Sequence, residues 1–161
     1  GGGGELEAHR GVPWGVVYGL GFGAITAARI CVEAHLQGFY MRVIGLAPAI
    51  VGPGWSIMCL LVALAEPFIG LTIDKIKNSG VRITSVLRLA MIPWIVLLYF
   101  VWLPSKASPI LLFTPVVLLS LLQAGLNLGF LSIYPSLFPT PEARSKAIVP
   151  QQGMVVAGLL M

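Results

Sequence analysis

Glu66-Pro67-Phe68-Ile69-Gly70-Leu71-Thr72-Ile73-Asp74-Lys75 places a carboxylate and a proline inside a long apolar run, then closes the run on an acid beside a base. A carboxylate near the centre of a bilayer costs about 2.5 kcal/mol or more, so such a group has a job or a partner. The Gly70-x-x-x-Asp74-Lys75 tail reads as a tight helix exit into a charged loop. A run of this length reads as a membrane-crossing helix rather than the core helix of a soluble domain.

The composition around it agrees. Only 10% of the 161 residues are charged and 57% are hydrophobic, where a soluble domain carries about 25% charge. The net charge is +4, but the basic residues sit in the gaps between apolar runs. Positive loops beside a membrane account for them, and nucleic-acid binding is not expected. Cys31 and Cys59 lie inside apolar runs without metal-ligand spacing and read as small hydrophobes. His9 and His35 are isolated. No metal, cofactor or enzyme chemistry is expected.

Residues 1–11 form a polar, Gly-rich stretch that reads as a mobile tail ahead of a transmembrane region at 12–161. Apolar segments run at about 12–40, 43–73, 83–103 and 109–134. Each meets the roughly 20 residues needed to cross about 30 Å of hydrocarbon. A partial fifth begins near 147 and reaches Met161 after about 22 Å of helix. The expectation is a piece of a longer chain. Period-two alternation is missing, which excludes a transmembrane barrel and leaves polytopic all-α. Arg10, Lys75, Lys77, Arg82, Arg144 and Lys146 fall on one side of the membrane, Arg42 and Lys106 on the other. That imbalance predicts a cytoplasmic N-terminus.

Four sets of residues are candidates for function. Gly11, Gly15, Gly19 and Gly23 line one face of helix 1, with Gly125 and Gly129 repeating the device on helix 4. Such faces serve close packing, or sliding against a partner helix. Arg29 and Glu33 share a face four residues apart, as an intrahelical ion pair or as two groups lining a polar cavity. Glu66 is a proton- or cation-binding carboxylate, or a structural acid bonded to a neighbouring helix. With an exit near Ile73 it lies about 10 Å inside the boundary, and Arg29 about 20 Å above it. Asp74, Lys75, Lys77, Arg82 and Arg88 make a loop-to-helix clamp or an ordinary positive loop.

Gly70-x-x-x-Asp74-Lys75 followed by Gly80-x-Arg82 resembles the loop between helices 2 and 3 of major facilitator superfamily carriers. Three further stretches are similar to the glycoside-pentoside-hexuronide:cation symporter, or melibiose permease-like, family. They are Tyr18-Gly19-Leu20-Gly21, then Phe39-Tyr40 with Val43-Ile44-Gly45-Leu46 and Val51-Gly52, and Tyr134-Pro135-Ser136-Leu137-Phe138-Pro139 with Glu142-x-Arg144. The resemblance covers about 14–161. It implies the N-terminal half of a major facilitator fold, with four full helices and the start of a fifth out of twelve. It implies a conformational loop motif at Gly70, Asp74, Lys75, Gly80 and Arg82.

The family's coupling pair of aspartates falls on Val62 and Glu66, which leaves Glu66 as the one acid for a proton or sodium ion. Its sugar-binding aspartates fall on Thr26 and Leu131, its stacking aromatic on Pro135, and its helix 5 arginine on Gln151. Thr26, Arg29, Glu33, Asn127 and Gln151 are the substrate-cavity candidates. The expected function is cation- or proton-coupled transport of a small solute such as a sugar. The expected partners are the lipid bilayer, that solute and the C-terminal half of the same protein. Lysolipid carriers share the scaffold, and a non-transporting four-helix subunit or scaffold is the competing expectation.

Overall fold

The fold is taken from a computed structural model that describes residues 14–103 and 108–142, and then 144, 145, 148, 149, 152, 153 and 156. The expected tail, Arg10, Lys106, Lys146, Gln151 and most of the fifth apolar stretch lie outside the described residues. Four helices follow in order: α1 (Trp14–Arg42), α2 (Pro48–Asn78), α3 (Ile83–Phe100) and α4 (Pro109–Leu137). No strand occurs among the described residues, so the all-α expectation holds.

Three of the helices, α2, α3 and α4, are long and apolar enough to cross a membrane. α1, the fourth expected span, has the length, 29 residues, and carries Arg29, Glu33, His35 and Gln37 in its second half.

The helix limits follow from local chemistry. α1 runs on to Arg42, and the chain then turns at Gly45, where φ is +80°. α2 therefore starts at Pro48 rather than near 43. Proline suits this first helical position because its missing N–H has no partner to find there. Ala47 before it is extended, with ψ 140°, as a residue preceding proline prefers. At its far end α2 continues past Ile73 through both lysines to Asn78. Ser79 donates its N–H to Lys75 O and Ile76 O, and Gly80 then takes φ +76°. A left-handed glycine is the commonest way to stop a helix. Pro53, Pro67, Pro93, Pro115 and Pro135 all lie within helices, as membrane helices allow when neighbours satisfy the freed carbonyls.

The contacts fall into two compact units, Gly1–Ile30 with Ser136–Met161, and Cys31–Pro135. In the first, Tyr18 stacks on Phe22 at 6.3 Å and meets Phe138 edge-on at 5.8 Å. Arg144 Nε donates to Phe138 O at 2.8 Å.

The second unit is organised around α4. Gly54 faces Phe113, Met58 faces Ser120, and Ile69 faces Gly125. The numbers rise together, so α2 and α4 run parallel. Leu87 meets Gly129 and Trp94 meets Gln123, so α3 runs antiparallel to both. Tyr40, 1% exposed, donates its hydroxyl to Leu112 O at 3.2 Å and lies 3.5 Å from Val101 O. It ties the end of α1 to the α3–α4 connection. The two helix 4 glycines differ. A Cβ on Gly129 would collide with the Leu87 side chain, whereas one on Gly125 would rest 3.8 Å from Ile69.

Candidate functional site

Glu66 lies on α2 about 18 Å from the helix end at Asn78, at 1.5 Å per residue. Its side chain is exposed, and it makes no hydrogen bond or ion pair with any described residue. α2 turns Gly54, Met58 and Ile69 toward α4. Glu66 sits on the flank of that stripe. Gly52, Ser56, Cys59, Ala63, Gly70 and Asp74 continue the flank at three- and four-residue spacing. A side chain at Gly52 or Gly70 would meet nothing within 4 Å. The flank is therefore a small-residue surface, open among the described residues, with one carboxylate in its middle.

The described cavity candidates sit in different local settings. Thr26, half-buried, donates its hydroxyl to Phe22 O at 2.9 Å. Its proton is thus committed to its own helix, a common state for threonine inside an apolar helix. Arg29 and Glu33 are exposed on α1, and each has an interaction partner. Asn127 is half-buried, with Oδ1 shut away from solvent and without a hydrogen-bond partner. Buried acceptors are usually paired, so an orphan of this kind needs a reason.

One turn before it stands a polar group that the sequence reading passed over. Gln123 is 6% exposed, the one buried polar side chain among the described residues. Its Oε1 accepts the Trp94 indole N–H at 2.7 Å. The spacing of Gln123 and Asn127, four apart in an apolar helix, was the available signal.

The loop motif is split between roles. Gly80 supplies the turn, and Arg82 stands extended at the start of α3 without capping it by its side chain. The side chains of Asp74, Lys75 and Arg82 are exposed and make no hydrogen bond with described residues. The clamp from this region to a neighbouring helix comes instead from Lys77, whose Nζ donates to Ser132 O of α4 at 2.8 Å. Ser132 lies near Pro135 in the last turns of α4, where helix carbonyls carry negative charge that favours a cation.

These features define a class: an all-helical protein with three helices long and apolar enough to span a membrane. No protein-family model matches the chain, and neither a curated protein nor a solved structure does.

Proposed function

We propose that the chain is the N-terminal part of a secondary carrier of the major facilitator type. It moves a small solute, such as a sugar or another organic molecule, by alternating access. In this reading Glu66 binds the coupling proton or cation, and a C-terminal half of the same protein completes the central site. The observation that carries it is Glu66 itself. It is a carboxylate without a partner among the described residues, on a helix apolar enough to cross a membrane. So costly a group in that setting is usually part of a proton or ion path. The small-residue flank around it supports the reading, because close helix approach is how one bundle rocks against another. Among the cavity candidates, Asn127 is the one whose buried Oδ1 has no hydrogen-bond partner among the described residues, which is compatible with a polar guest reaching it in another state of the transport cycle.

A membrane subunit or scaffold is the second reading. The open flank at Gly52 and Gly70 favours it, since the same surface would seat a partner's helix without any transport.

Uptake into vesicles separates the two. The full-length protein is reconstituted and offered labelled sugars, organic acids and lysolipids, with and without an imposed proton or sodium gradient. The carrier reading expects gradient-driven accumulation of one class. Equal, gradient-independent signals from protein-containing and empty vesicles for all three classes favour the subunit.

A further inference from the structure

Between the N-terminal halves of α2 and α4 lies a cavity of about 400 Å³ that none of the candidates above lines. Its walls include Gly54, Ile57 and Met58 from α2 and Phe113, Val117 and Leu118 from α4. Gly54 shapes it: a Cβ there would meet the Phe113 ring at 2.6 Å, so the ring rests directly on the α2 backbone.

The wall offers nothing to a polar guest. Its one hydroxyl, on Thr114, donates to Ile110 O at 2.8 Å within its own helix. A sugar or an ion entering here would lose its hydration without replacement. A water would find fewer than the two to four polar partners it needs. A packed helix is also a poor guest. A helix about 10 Å wide fills roughly 400 Å³ per turn, so the space would take a single turn.

The rim shows what does fit. Ile57, Ile110 and Leu118 are 58%, 79% and 48% exposed. Their surface continues into exposed Leu60, Leu61 and Leu64 on α2 and Leu111 on α4. Both helices are long and apolar enough to cross a membrane, so the groove is continuous with the face they turn to hydrocarbon. The geometry points to a resident lipid site, in which one acyl chain of a bilayer phospholipid lies in the α2–α4 groove. The site uses neither Glu66 nor a transported solute, so it stands whether or not the chain is a carrier.

The test is native mass spectrometry of the full chain released from detergent micelles after adding a palmitoyl-oleoyl phosphatidylcholine. The expected result is one retained lipid per chain, not displaced by glycerophosphocholine, which has the headgroup and no acyl chains. Val117→Trp, which fills the groove, lowers the retained fraction at least tenfold, and Val117→Ala keeps it. An unchanged fraction in Val117→Trp, displacement by glycerophosphocholine, or loss of a dimer instead of a lipid overturns the proposal. Should Val117→Trp fail to fold, the wild-type chain is labelled with a phospholipid carrying a mid-chain diazirine. Adducts concentrated in residues 50–58 and 110–118 support the site. Even labelling that includes Leu60, Leu61 and Leu64 equally contradicts it.

Discussion

Gln123 and Trp94 show how one polar contact is placed in an apolar bundle. Trp94 follows Pro93 in α3, and its indole reaches across to Gln123 on α4. Cross-helix hydrogen bonds in membranes contribute about 0.6 kcal/mol on average, with a maximum near 1.7. Trp94→Phe removes the donor and leaves Oε1 short of it. The expected loss is about 1 kcal/mol in an unfolding titration from mixed micelles. A further Gln123→Leu change recovers part of that loss, because an apolar pair leaves no acceptor stranded. Glu66 was legible in the sequence because a charge stands out in an apolar run. Gln123 was legible only in part: its spacing from Asn127, four residues on, marks a polar face of α4, but its Trp94 partner lies 29 positions away and no local pattern points to it.

At the scale of elements, the helix stops carry the clearest consequences. Gly80 has φ +76°, where a Cβ costs about 1–2 kcal/mol. Gly80→Ala is expected to lose that much stability. Gly70→Ala, with open space around it, is expected to gain up to about 1 kcal/mol from helix propensity. Thermal unfolding of the two variants in detergent checks both signs. A similar contrast applies on α4. Gly129→Ala forces the Leu87 side chain to move, while Gly125→Ala places a methyl in ordinary contact with Ile69. The first is expected to lower the melting temperature by several degrees and the second to leave it within a degree or two, on a scale of about 2–4 °C per kcal/mol.

The sequence reading treated Gly125 and Gly129 as one device, because spacing alone cannot say which neighbour each one meets. It likewise placed the start of α2 near 43. Hydrophobicity does not stop at Gly45 and Pro48, but backbone geometry does.

For the whole molecule, the all-α character and three membrane-competent helices could be read from composition and run length, because hydrocarbon tolerates few charges and no open sheet edge. α1 was harder to read. Its 29 residues have the length of a span, while Arg29 and Glu33 give its second half a different character. Which helices meet was not legible at all. The parallel course of α2 and α4 rests on pairs such as Met58 with Ser120, 62 positions apart. Within the expected clamp set it is Lys77 whose Nζ reaches Ser132 O of α4. No sequence motif points to that carbonyl.

The central claim is that Glu66 couples transport to a proton or cation, and Glu66→Gln in the full-length protein tests it most directly. Glutamine keeps the size and removes the charge. Initial uptake rates of the transported solute into vesicles are measured across a pH series, with and without an imposed gradient. The account predicts that gradient-driven uptake falls at least tenfold and that its pH dependence disappears, while passive exchange persists. Uptake that keeps both its rate and its pH dependence in Glu66→Gln would contradict it.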